Sequence, residues 1–263
     1  MCGFSRRFDT SYLAAYAHTK SGSIGRPTIL RSQTCDKYGT SPPPFPHPPH
    51  NTFLLLTPPL DPSGFFVDYA QFSGGIFIDC NIHDIDLALW FFSTHTSPPS
   101  LPNVKSATAF GVTAVEPGLA KHGDVDNGIG VVEFHTGQIA YFYSSRMNAP
   151  GQHDMTEIIG TKGKLVVNGN PASDLLESHT SSGVERGIPQ NYYERFEQAF
   201  VEEARQFTEC VIEDREVPVD LGSSIEAVKI GVALQDSLRS GKKIWFDGEG
   251  KRIDEGGVVR AKL

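Results

Sequence analysis

Asp79 and His83 stand four residues apart in the stretch Ser73 to Phe92, Ser-Gly-Gly-Ile-Phe-Ile-Asp-Cys-Asn-Ile-His-Asp-Ile-Asp-Leu-Ala-Leu-Trp-Phe-Phe, where ionisable groups crowd against apolar ones. On a helical backbone that spacing brings two side chains onto one face, with about 5 to 6 Å between Cβ atoms. A carboxylate beside an imidazole orients the ring and raises its basicity. His83 is therefore suited to act as a general base toward a hydroxyl near neutral pH, with Asp79 as its orienting partner or as a ligand for substrate hydroxyls. Gly74 and Gly75 let backbone approach a ligand closely. Taken in isolation, the same residues have a plainer explanation: Asp79 as an acid favoured by a helix N-terminus and His83 as a satisfied core histidine. A metal site built from Asp79, His83, Asp84 and Asp86 is disfavoured, because Asp84 and Asp86 point to different helical faces, and no metal is expected.

The elements that must position this stretch are legible on both sides of it. Asp9 and Thr10 are good N-caps for a short helix through Tyr12, Leu13, Ala15 and Tyr16 that stops at Gly22. Near-alternation from Thr28 to Thr34 suits a strand. Asn81 is a candidate N-cap for a helix over about residues 82 to 93, with Ile82, Ile85, Leu89 and Phe92 on one stripe. Val104 to Val115, Gly128 to Phe134, Gln138 to Ser145, Met155 to Gly160 and Lys164 to Asn168 read as short strands. His135-Thr136-Gly137 and Thr161-Lys162-Gly163 read as hairpin turns, so successive strands are expected to be antiparallel. Asn170 to Asn191 reads as loop. Two helices follow: one buries Phe196, Phe200, Ala204, Phe207 and Val211, and one, capped by Ser223 or Ser224, buries Ile225, Val228, Val232 and Leu238 and ends at Gly241. Lys243 to Phe246 returns as a strand. The expected fold class is α+β, a mainly antiparallel open sheet covered by helices, in a single domain over residues 1 to 263.

Composition narrows the function. The chain has 263 residues and a formal net charge of −8, with no basic run, which argues against nucleic acid as a partner. No apolar run approaches the roughly 18 residues of a membrane helix. The four cysteines form no Cys-x-x-Cys pair, so neither a zinc site nor a disulfide framework is indicated, and a reducing, cytoplasmic setting is expected. The ending Ala261-Lys262-Leu263 approximates a peroxisomal address. Eight of the 18 prolines fall between Pro42 and Pro59, which predicts an irregular or polyproline-like excursion. His47 and His50 in this excursion have no accompanying carboxylate or thiol to suggest a metal.

With these residues in view, Gly74-Gly75-Ile76-Phe77-Ile78-Asp79-Cys80-Asn81-Ile82-His83-Asp84-Ile85-Asp86-Leu87-Ala88-Leu89-Trp90 resembles the signature of the Gfo/Idh/MocA oxidoreductases, the relatives of glucose-fructose oxidoreductase and inositol dehydrogenase. The likeness extends to Gly3-Phe4-Ser5-Arg6-Arg7-Phe8-Asp9, to Ser21 through Pro27, to Asp126-Asn127 and to Glu157 through Gly163. It covers nearly the whole chain outside the proline-rich excursion and corresponds to the family's C-terminal half. The resemblance implies oxidation of a secondary hydroxyl on a sugar, polyol or inositol with NAD or NADP. Asp79 and His83 are then the alcohol-side catalytic pair, and Arg6, Arg7, Gly75, Asn81 and His153 line the substrate. It also implies a homo-oligomer through the open sheet.

Three features depart from the family pattern. The Gly-x-Gly-x-x-Gly turn of the N-terminal Rossmann domain does not occur: Gly128-Ile129-Gly130 lacks the third glycine and lies in a strand pattern. No Glu-Lys-Pro tripeptide supplies the family's lysine. Cofactor-binding residues are therefore unassigned, and cofactor binding by this chain alone is not expected. The alternative expectation is a non-catalytic oligomerisation or regulatory subunit. Residues 39 to 60 resemble foreign sequence, and we expect a retained intron or faulty gene model there, with an internal start accounting for the missing Rossmann half. Transcript sequencing across this region should show mature messages lacking the segment; reads that reproducibly encode Pro42 to Pro59 would overturn this expectation.

Overall fold

A computed structural model describes residues 1–37, 65–95 and 100–253. The proline-rich segment 39–60 and Ala261 to Leu263 lie outside the described residues. A 3-10 turn at Ser5–Phe8 leads into α1, Thr10–Lys20, whose first turn is capped by the Asp9 carboxylate accepting from the amides of Ser11 and Tyr12. β1 then runs over Pro27–Lys37, longer than the alternation implied.

The central stretch folds as three helices, α2 at Phe65–Ser73, α3 at Ile76–Asp79 and α4 at Ile82–Phe92. The break before α3 is made by Gly74 and Gly75, with φ of 83° and 98°, and the break after it by Cys80 and Asn81. Asp79 and His83 are thus on separate helices, and the single-face argument from their spacing does not hold. On α4, burial extends beyond the expected stripe: Asp84 and Asp86 are buried along with Ile85, Leu87, Leu89 and Phe92.

The strands that follow are β2 at Val104–Val112, β3 at Asn127–Phe134, β4 at Ile139–Asn148, β5 at His153–Gly160 and β6 at Lys164–Val167. The segment expected to be loop contains a small exposed hairpin, β7 at Glu177–Thr180 and β8 at Gly183–Arg186. All eight of its residues are exposed, so no hydrophobic alternation marks it. α5 spans Tyr192–Ile212, α6 spans Leu221–Ser240, and β9, Ile244–Phe246, with β10, Arg252–Ile253, ends the described chain.

Eight strands form one sheet in the order β10-β9-β2-β3-β4-β1-β5-β6. Its pairings are antiparallel except β1 with β4, which run parallel. The mainly antiparallel α+β class is therefore as expected, but β1 is inserted between β4 and β5. That placement needs a long crossover, which here carries α2, α3 and α4. One sheet face buries Leu30, Val132, Ala140, Phe142 and Ile158 in the core shared with α4 and α6. Ile29, Phe110, Ile129 and Ile139 remain exposed on the sheet.

The last helix overturns an expectation. Asp220, not Ser223 or Ser224, caps α6. Ile225, Val228 and Val232 face outward, while Ala227, Ile230, Gly231, Leu234 and Ser237 face the core. Small residues decide the orientation: a Cβ on Gly231 would lie 3.1 Å from the Phe77 carbonyl oxygen and the Ile78 side chain, so α6 seats tightly against α3 there with little room for a side chain. On α5 likewise, Phe196 is buried but Phe207 and Val211 are exposed. Gly231→Leu should therefore cost about 1–3 kcal/mol or more by overpacking, whereas Val228→Ser should change stability by no more than about 0.5 kcal/mol. Urea unfolding of the two variants checks the assignment.

Candidate functional site

A buried polar cluster lies beneath the α4 N-terminus. Arg6 donates from Nη1 to Asp84 Oδ1 at 2.6 Å, and from Nη2 to Asp154 Oδ1 at 2.7 Å and Thr34 Oγ1 at 2.6 Å. Asp84 also accepts from Ser32 at 2.5 Å, Thr34 at 2.6 Å and Asn81 Nδ2 at 2.7 Å. Thr156 closes the group by bonding the Ser32 hydroxyl and the Tyr12 hydroxyl. The inward alternation of β1 and β5 aims Ser32, Thr34, Asp154 and Thr156 at one place. Burial raises the carboxyl pKa of Asp154, with the Arg6 charge opposing that shift.

A second ion-pair chain holds Asp79. Arg146, near the end of β4, donates to Asp79 Oδ2 at 2.8 Å and to Asp124 Oδ2 at 2.7 Å. Asp124 Oδ1 accepts from the Ile76 amide at 2.9 Å, the first residue of α3. One carboxylate thus caps α3, and through Arg146 it is tied to the carboxylate at the other end of the same helix. Asp79 keeps 23% of its side chain exposed beside this buried guanidinium.

Asp36, near the end of β1, extends the acidic floor. Cys80 Sγ lies 3.8 Å from Asp36 Oδ2 and 4.0 Å from Asp79 Oδ2. Gln152 Nε2 bridges Asp36 Oδ1 at 2.8 Å and Asp154 Oδ2 at 3.0 Å, linking the two clusters. Burial, aided by the charges of Asp154 and Asp79, pushes the Asp36 carboxyl up to about 6.

His83 packs edge-on against Phe4, with ring centroids 5.7 Å apart. Its Nδ1 is shielded and has no hydrogen-bond partner among the described residues. Burial first, and then the positive charge of Arg6, lower its pKa to about 4. The imidazole is therefore neutral at neutral pH, and its basicity is lowered rather than raised. No hydrogen bond joins it to Asp79.

Most of the expected substrate residues have other work. Arg6 and Arg7 are both engaged by buried carboxylates: Arg7 pairs with Asp86 through Nε at 2.8 Å and Nη2 at 2.5 Å and lies over the Trp90 ring. Asn81 is fully buried and does not cap α4; its Nδ2 bonds Asp84 and the Tyr143 carbonyl, and its Oδ1 is unpaired. Gly75 serves helix packing, since a Cβ there would lie 2.2 Å from Gln235 Cδ. His153 contacts Gln33 and the Asn168 carbonyl. Because its neighbour Asp154 points to Arg6, His153 belongs to the opposite sheet face.

Asp36, Arg146 and Gln152 were missed. Each sits near a strand end beside a polar neighbour, and only the sheet order brings them together. Among the described residues no cluster of three or more His, Cys, Asp and Glu is arranged to hold a metal, and no helix is long and apolar enough to cross a membrane. No described strand runs through a glycine-rich turn into a helix, so these residues do not fit a dinucleotide pyrophosphate.

The lowered imidazole pKa has a readable consequence. Between pH 4 and 6.5 the unfolded chain binds the proton that folded His83 refuses, so this group makes stability rise with pH across that window. Asp36 has the opposite sign, because the folded state holds its proton up to about pH 6. An NMR titration of the His83 ring should give a midpoint near 4, and His83→Asn should remove its part of the slope in stability against pH.

Comparison with known proteins agrees with this architecture. A family model described as the GFO/IDH/MocA C-terminal domain matches residues 12–166. The chain is 27% identical over 246 residues to scyllo-inositol 2-dehydrogenase (NAD(+)) of Bacillus subtilis, covering 93% of this chain and 62% of that protein. It superposes with a TM-score of 0.76 and 30% identity on scyllo-inositol dehydrogenase from Lactobacillus casei, solved with bound NAD(H) and scyllo-inositol, covering 93% of this chain and 64% of that one. Myo-inositol 2-dehydrogenase from Lactobacillus plantarum gives a TM-score of 0.76 at 29% identity, with coverage of 93% and 64%. The chain thus spans a little over three fifths of the length of these relatives. By the match of its helices, sheet and motif stretch, the chain belongs to the Gfo/Idh/MocA family.

Proposed function

We propose that the chain is the substrate-binding part of an NAD-dependent oxidoreductase acting on a secondary hydroxyl of a polyol, an inositol or a sugar. The observation that carries this reading is the placement, on either side of the α3–α4 junction, of a partly exposed Asp79 carboxylate and of His83, whose Nδ1 lacks a partner among the described residues. The relatives named above are inositol dehydrogenases, and two of their names specify NAD(+) or NAD(H).

This chain supplies the alcohol side of the reaction. Asp79, ion-paired with Arg146 and partly exposed, offers its carboxylate to the hydroxyls of the substrate. His83, just after it in the chain, carries a shielded Nδ1 without a partner among the described residues, and leaving such a buried polar nitrogen unpaired costs about 1–3 kcal/mol.

A second reading is favoured by the open sheet face. Phe110 and Ile129 are opposite each other on β2 and β3, as are Ile29 and Ile139 on β1 and β4, and all four are exposed. An apolar, strand-paired face of this kind suits a homo-oligomer interface, and a chain that only assembles would be a non-catalytic subunit.

Calorimetric titration of the full chain with myo-inositol and scyllo-inositol, and separately with NAD, distinguishes the readings. The expected result is polyol binding that Asp79→Ala weakens by about tenfold or more, with no NAD binding up to millimolar concentration. Equal polyol affinity in the variant sinks the role of Asp79. Absence of all binding from a chain that sediments as a defined oligomer favours the assembly reading.

A further inference from the structure

Aromatic side chains from two distant elements flank the acidic floor. α2 contributes Tyr69, 42% exposed, whose hydroxyl pKa is raised chiefly by the charge of Asp79 and which therefore lies within its electrostatic reach. α5 contributes Tyr192 and Tyr193, 45% and 56% exposed, with ring centroids 4.1 Å apart. The position of this pair is fixed by the segment before α5. Lys37, the residue after Asp36, bonds Gln190, and the Gln152 amide donates to the Pro189 carbonyl at 2.7 Å while its side chain holds Asp36 at 2.8 Å. Burial and the neighbouring Tyr193 raise the Tyr192 hydroxyl pKa, and the charges of Asp36 and Asp79 add to that shift. Phe200 backs the pair, 6.4 Å from Tyr192 and 5.9 Å from Tyr193 between ring centroids.

The paired rings stay exposed at the edge of the polar floor, held there by the Gln190 and Pro189 bonds. Rings of this kind offer a flat apolar surface to the C–H face of a sugar, while neighbouring carboxylates take the hydroxyls at its edge. We propose that Tyr192 and Tyr193 form a second subsite for a pyranose ring, so that the ligand class is a glycoside: a polyol on the Asp79 and His83 floor, carrying a sugar that lies on the tyrosine pair. This rests on the polyol reading above and extends it from a single ring to a two-ring substrate.

The test compares myo-inositol with galactosyl-myo-inositol by calorimetric titration of the full chain. The glycoside should bind about tenfold more tightly, and in Tyr193→Ser the ratio of the two affinities should fall to about one. Saturation-transfer NMR on the unsubstituted chain gives an independent readout, with transfer from tyrosine ring protons to pyranose protons. Equal affinities in the unsubstituted chain, an unchanged ratio in Tyr193→Ser, or no transfer to the pyranose overturns the second subsite while leaving the polyol reading intact. Failure of both ligands to bind overturns both.

Discussion

One guanidinium between two buried carboxylates is the constraint on which the rest of this structure depends. Arg6 is 3% exposed and meets Asp84 and Asp154, which lie on α4 and β5, with Thr34 of β1 between them. Three segments far apart in sequence therefore converge on one side chain. Taking such charges out of water costs several kcal/mol per ion, and the geometry must return that through short, saturated hydrogen bonds. Ser32, Thr34, Asn81, Gln152 and Thr156 supply the extra bonds, so any register in which β1 or β5 slipped by one residue would strand a charge in the core. The cluster thus fixes where α4 starts, and with it where His83 sits.

Asp79 is placed by a different device. The short α3 is capped at its first amide by Asp124, and Arg146 ties that same carboxylate to Asp79 at the helix end. Gly231 and Gly75 let α6 close over this turn, where a methyl group would crowd Phe77 and Ile78 or run into Gln235. Asp79 is thus fixed from both sides while part of its carboxylate stays exposed. The two central residues of the site are held by separate networks, joined through Gln152 and Asp36.

Much of this was legible in the sequence. The strands from β2 to β6, α1 with its Asp9 cap, and the motif around Asp79 and His83 all announce themselves through short-range pattern and turn chemistry. The errors share one cause. Ile225, Val228 and Val232 look like a buried stripe, yet the small residues opposite them face the core. Arg6 and Arg7 look like substrate ligands, yet buried carboxylates engage both. Asp79 and His83 look like a helical pair, yet two glycines and the Cys80–Asn81 break put them on separate helices. In each case residue type was read correctly and partner was not.

What the sequence determined by itself is local: the spacing of apolar residues, the caps, the glycine turns and the family motif, because those depend on neighbours within a few positions along the chain. The tertiary structure alone decided that β1 enters the sheet between β4 and β5, that Arg146 rather than His83 holds Asp79, and that Pro189 and Gln190, just before α5, bond Gln152 and Lys37. Those outcomes depend on which buried charges can be neutralised together and which helix face is thin enough to approach another backbone. Neither is a property of any short stretch, since each requires groups from opposite ends of the chain to meet.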